Sequence, residues 1–115
     1  MAELALRESI QGISRVALCG RLDISGAQDI ETRFTAAVCP VGQPTLVDLS
    51  GVTFLSSMGI RVLIQVAKSL ARHQARLALY APTAEVKAVL SAAGLDTVLV
   101  IADTEPQAIE ALRSA

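Results

Sequence analysis

The residues best suited to chemistry fall in one short stretch, Leu55-Ser56-Ser57-Met58-Gly59-Ile60-Arg61. Two adjacent serines stand there directly before a periodic apolar run. A serine at a helix start can accept a hydrogen bond from a backbone N–H that has no partner within the helix. The same place also suits a phosphate, because free N–H groups and the helix dipole favour negative charge. A third use, as a nucleophile, needs a base within reach. The sole histidine, His73, lies about four turns further along the same helix. At roughly 1.5 Å per residue that is over 20 Å away. The arrangement is similar to the nucleophile elbow G-x-S-x-G, but Phe54-Leu55-Ser56-Ser57-Met58-Gly59 lacks the first glycine. A continuous helix excludes a Ser-His pair within one chain, so no enzyme and no catalytic residue are expected. His73 reads as a surface residue in a polar helix end.

Other candidates are weaker. Asp23 closes Gly20-Arg21-Leu22-Asp23 and reads either as a turn residue or as a partner contact. Arg61 reads as a solvated helix-face charge or as a partner contact beside Ser57. Met58 is expected to be partly exposed and adaptable, with a hydrophobic partner contact as the alternative. Cys19 and Cys39 are not at metal-ligand spacing and are too few for a disulfide scaffold, so buried thiols are expected. No metal site is expected.

Composition bounds the class. The chain has 115 residues, which suits one domain, and is 52% hydrophobic, ample for a core. Aromatics are 3%, so the core should be Leu, Val, Ile and Ala. No apolar run approaches the roughly 20 residues that span a bilayer. The start, MAELALRESI, carries two acids and an Arg with no long apolar stretch, so a secretory signal is not expected. Net charge is −1, against the basic patch of a nucleic-acid binder. A cytoplasmic protein is expected, and, with no extension before the first strand, not a large multidomain sensor.

The elements that must position the serines follow from patterning. Leu4 and Leu6 alternate with polar residues up to Glu8, an edge strand. Gln11-Gly12 is a turn, and Val16–Cys19 a second strand, giving a hairpin. Gly20–Asp23 is then a loop. Ser25 with Gln28 is a capping-box pattern opening a helix through Ala27, Ile30, Phe34, Ala37 and Val38, ended by Pro40, Gly42 and Pro44. Leu46, Val47 and Leu49 make a strand buried on both faces, and Ser50–Leu55 a loop. Ile60, Leu63, Ile64, Ala67, Leu70 and Ala71 fall on one helical face. Leu77–Tyr80 is a strand. Pro82-Thr83 opens a helix through Val86, Val89, Leu90 and Ala93, with Gly94 as C-cap. Val98–Ile101 is a strand, and Thr104 with Gln107 caps a last helix through Ala108, Ile109 and Leu112. The order ββαβαβαβα implies an α/β fold, a mostly parallel sheet with an antiparallel edge strand and about four helices.

Three segments together resemble the STAS domain, the fold of bacterial anti-sigma-factor antagonists. They are Gly20-Arg21-Leu22-Asp23, similar to the family's G-x-L-D; Leu46–Phe54, like its strand and loop; and Ser56-Ser57-Met58-Gly59-Ile60, like its D-S-S-G-L. The resemblance covers nearly the whole chain and implies a single STAS domain over residues 1–115. It implies a regulator that works by partner switching. The unphosphorylated form binds an anti-sigma factor, also a serine kinase, and frees a sigma factor. Phosphorylation on Ser57 breaks the contact, and a serine phosphatase resets it. Partner-binding residues are then Asp23, Ser56, Ser57, Met58, Gly59 and Arg61. The chain departs from the pattern at two places: Ser56 stands for the family's Asp, and Met58 for its second Ser. The first change removes a negative charge beside the phosphosite. ATP and Mg²⁺ would belong to the kinase, no cofactor is expected, and a monomer or weak dimer is. The alternative is a non-phosphorylated STAS binding or scaffold module in a lipid-transport or stress-signalling complex.

Overall fold

A computed structural model describes residues 2–114. Strand β1 is Ala2–Ile10 and β2 is Ile13–Leu22. Helix α1 is Ile24–Val38, β3 is Thr45–Leu55 and α2 is Ser57–Ala71. Strand β4 is Leu77–Tyr80, α3 is Ala84–Ala92, β5 is Val100–Ala102 and α4 is Glu105–Arg113. The five strands lie in sequence order, with β1 antiparallel to β2 and every later pair parallel. Right-handed crossovers that always step the same way put their helices on one face of a sheet. One core cluster accordingly joins Ile30 and Phe34 of α1, Val62, Leu63, Val66 and Leu70 of α2, and Val86 and Leu90 of α3 to Leu18, Val47 and Leu79. Helix α4 returns to the other face and covers Ile13, Leu46, Ala78 and Tyr80 with Ala108.

The α/β class, the antiparallel edge and the four helices are as expected. Several boundaries are not. Gly20–Leu22 and Ser50–Leu55 are strand rather than loop. They pair with each other, Gly20 with Val52, Arg21 with Phe54 and Leu22 with Leu55, and two bulges absorb the extra residues. Helix α1 is capped by Asp23, not Ser25: the Asp23 carboxylate accepts from Gly26 N at 2.8 Å. The expected strand at Val98 starts two residues late. Gly94, at φ +77°, ends α3 in a conformation that favours glycine, and a single 3-10 turn, Leu95–Thr97, follows. That turn leaves Val98 70% exposed.

The buried face of α2 is also rotated from the one expected. Gly59, Val62, Leu63, Val66 and Leu70 are buried, whereas Ile60, Ile64 and Ala67 are half-buried and Ala71 is exposed. Of the second stripe, Ile64, Ala67 and Ala71 line an open groove with Leu95, Val98 and Leu99. Cys19 is exposed and Cys39 half-buried. Alternation along β2 explains the first, since Leu18 takes the helix-covered face and Cys19 points to the other.

That other face carries a polar chain. Arg7 pairs with Asp48 at 2.8 Å and donates to Tyr80 Oη at 3.1 Å. Tyr80 donates to Glu105 at 3.0 Å, and Glu105 accepts from Arg15 Nη2 and Nε, at 2.9 and 3.1 Å. The chain ties the start of α4 to four strands.

Candidate functional site

Strands β2 and β3 end side by side, at Leu22 and Leu55. Their C-terminal ends deliver the chain to the starts of α1 and α2, the edge at which open parallel sheets place their binding surfaces. Ser56 is the N-cap of α2, with extended backbone, as the sequence pattern suggests. Its hydroxyl is fully committed. It accepts from Gly59 N at 3.3 Å and donates to Leu22 O at 2.7 Å. The Ser56 backbone N–H also donates to Leu22 O, at 2.9 Å. The end of β2 and the start of α2 are thus fastened through one carbonyl.

Ser57 differs. It is the first residue of α2, is exposed, and its hydroxyl makes no hydrogen bond among the described residues. Gly59 is buried. A Cβ there would sit 2.7 Å from Leu55 Cδ1 and 3.1 Å from Leu22 O, so glycine is what lets α2 start against the strand ends. Met58 is half-buried against the main core, and Arg61 is exposed. His73 is exposed beyond the end of α2, as expected.

Asp23 sits across from the serines at the start of α1. The Gly26 N–H holds its carboxyl below the usual carboxylate range, and Arg21, at 3.7 Å, acts in the same direction. The sequence reading passed over three neighbours. The Arg21 guanidinium lies 4.4 Å over the Phe54 ring, a cation–π contact. Phe54 is 39% and Ile24 63% exposed, so two large apolar side chains stand at this end of the sheet. Arg21 belongs to the G-R-L-D segment, but its place beside Phe54 depends on the bulged pairing, which no local pattern encodes.

Together these residues make an exposed, mixed surface, with a free hydroxyl, apolar side chains and two arginines. Among the described residues no group of three or more His, Cys, Asp or Glu could hold a metal, and no helix is long and apolar enough to cross a membrane.

Known proteins share this architecture. Over 108 residues the chain is 27% identical to BtrV of Bordetella bronchiseptica, named as a candidate anti-sigma factor antagonist; the match covers 94% of this chain and 93% of that one. An anti-sigma factor antagonist from Mycobacterium paratuberculosis superposes with a TM-score of 0.86 at 25% identity, over 99% of this chain and 96% of that one. The Bacillus cell fate determinant SpoIIAA shares the fold at 20% identity. Its phosphorylated form superposes with a TM-score of 0.70, over 96% of this chain and all of that one. The STAS-domain pattern matches residues 6–108, which include every strand end and helix start described above. The chain belongs to the STAS-domain family.

Proposed function

We propose that this protein is an anti-sigma-factor antagonist that acts by partner switching, with Ser57 as its phosphoacceptor. Unmodified, it binds an anti-sigma factor that is also a serine kinase, and a sigma factor is released. The kinase transfers the γ-phosphoryl group of its ATP to Ser57 Oγ, the hydroxyl proton passes to a base of the kinase, ADP is the leaving group, and the complex separates. A serine phosphatase returns the hydroxyl. The domain supplies a surface and an acceptor rather than a catalyst. On this reading it works in the bacterial cytoplasm, as a monomer or weak dimer.

The observation that carries the reading is the contrast between the two serines. Ser56 is bound twice and holds the helix start, while Ser57 is exposed and unengaged. A kinase needs a reachable hydroxyl that the fold can give up, and Ser57 is that one. Met58 and Arg61 lie near it on α2, and Asp23 is the N-cap of α1 at the same end of the sheet. Gly59 contributes by allowing the close approach rather than by surface. The name of BtrV supports the antagonist role, and a phosphorylated form of SpoIIAA exists within the same fold.

The test incubates wild type, Ser56→Ala and Ser57→Ala with ATP and the serine kinase the protein binds, and maps phosphate by mass spectrometry. Phosphate on wild type and Ser56→Ala but not on Ser57→Ala is expected. Phosphate on Ser56 alone defeats the assignment. Binding without any phosphate favours the scaffold module.

A further inference from the structure

We propose that Arg61 is the internal partner of a phosphate on Ser57. The inference rests on the phosphoacceptor reading and says how the modified site is held. Ser57 and Arg61 are four residues apart on α2, so their side chains are neighbours on one helix face. Both are exposed. Arg61 is the only charged residue between Asp48 and Lys68. The ion pairs of the described residues are Arg7–Asp48, Arg15–Glu105, Arg21–Asp23 and Lys87–Asp103, and none of them uses Arg61. Its guanidinium makes no hydrogen bond among the described residues either.

Arg21, another cation at this end of the sheet, is already occupied. It lies against Asp23 and over the Phe54 ring. The acid at the start of α1 is also engaged: the Asp23 carboxylate caps that helix by accepting from Gly26 N. Ser56, where the family has an acid, puts no carboxylate beside Ser57 to compete for the guanidinium. A phosphoserine carries about −1.5 to −2 charges and three acceptor oxygens. The planar fork of an arginine matches two of them. Modification therefore does two things to the surface. It adds an anion, and it draws a free cation out of the partner's reach.

The experiment installs phosphoserine at position 57 during translation, so that no kinase is needed, and follows the second phosphate ionisation by phosphorus NMR. Arg61→Gln should raise that pKa by about 0.3–0.7 unit over wild type, the range of an exposed but adjacent ion pair. Arg61→Lys should fall between them, and about 1 M salt should shrink the differences. Lys68→Gln, two turns beyond Arg61, should titrate like wild type. Thermal unfolding of unmodified Arg61→Gln should match wild type, since the side chain is exposed and unpaired. Equal titration of wild type and Arg61→Gln, or an equal shift from Lys68→Gln, would overturn the pairing. Neither result touches the kinase assay, so loss of the pairing and loss of the switch are separable.

Discussion

Replacing each of the two serines by alanine should have unequal consequences for stability. In Ser56→Ala the buried Gly59 N–H loses its acceptor, and Leu22 O loses one of two donors. Loss of an N-cap serine costs about 0.5–2 kcal/mol. Loss of the hydroxyl bond to a carbonyl that keeps a second donor lies at the low end of about 0.5–1.5 kcal/mol. The 3.3 Å cap distance is long, so a sum of about 1–2.5 kcal/mol is expected. Ser57→Ala removes an unengaged, exposed hydroxyl and should stay within about 0.5 kcal/mol of wild type. Ser56→Asp restores the family's acid and makes an equally good cap, but a carboxylate cannot donate to Leu22 O. It should fall between wild type and Ser56→Ala at neutral pH. Urea unfolding of all four proteins, with a common slope, measures this. If Ser57→Ala proved more destabilised than Ser56→Ala, the assignment of cap and free hydroxyl would be reversed, and the case for Ser57 as acceptor would go with it.

Leu63→Ala should cost about 2–5 kcal/mol in chemical denaturation, because Leu63 is 1% exposed in the middle of the α2 contact. Glu105→Gln should cost about 1 kcal/mol through loss of the paired Arg15 bond, with a double-mutant cycle against Arg15→Gln showing coupling. Burial pulls the Asp48 carboxyl up, but the Ser50 N–H and Arg7 outweigh it and hold it below the usual range. The stability this supplies is present above the unfolded carboxylate pKa, about 3.9, and is lost as pH falls through the folded value; Asp48→Asn should flatten that acid limb of the stability profile. The Tyr80 phenol, chiefly through burial and its bond to Glu105, is pushed up to about 12. Its contribution is full below about pH 10 and declines as pH rises through 12, so Tyr80→Phe should remove that alkaline loss.

The fold was legible where apolar runs and helix caps are local. Leu46, Val47 and Leu49 announce β3, and Thr83 and Thr104 announce α3 and α4, since each hydroxyl accepts from the N–H three residues on. Where two local answers compete, the pattern could not choose. Ser25-x-x-Gln28 is a good capping box, yet Asp23 holds the cap. In α2 the expected 60, 63, 64, 67, 70, 71 stripe and the observed 59, 62, 63, 66, 70 stripe share Leu63 and Leu70, and both satisfy helical spacing. Burial goes to the second because only Gly59 fits against Leu22 and Leu55. The extensions of β2 and β3 rest on their pairing with each other, and serine, glycine and threonine in Ser50–Thr53 read locally as turn. The link from Arg15 to Glu105 spans 90 residues and has no local signal. At the candidate site helix periodicity put both serines at the start of α2 without choosing which one caps it, whereas Phe54, Arg21 and Ile24 emerge only once two strand ends lie side by side.

The same geometry bears on how such a switch would act. An anion added at Ser57 meets the start of α2, where the helix dipole favours it by about 0.3–1 kcal/mol at an exposed position. The bonds that fix that start, from Gly59 to Ser56 and from Ser56 to Leu22, do not involve the Ser57 hydroxyl. Modification therefore removes nothing from the fold. A partner seated over Met58 and Ile60 would instead have to desolvate the phosphate, at a cost of several kcal/mol. Every 1.4 kcal/mol is tenfold in affinity, so a micromolar complex would be lost while the domain stayed folded. Circular dichroism and thermal unfolding of protein carrying phosphoserine at position 57 should therefore match the unmodified protein, and its affinity for the anti-sigma partner should fall by at least a hundredfold. A phosphorylated domain that unfolds as readily as it dissociates would place the switch in the fold rather than at the interface.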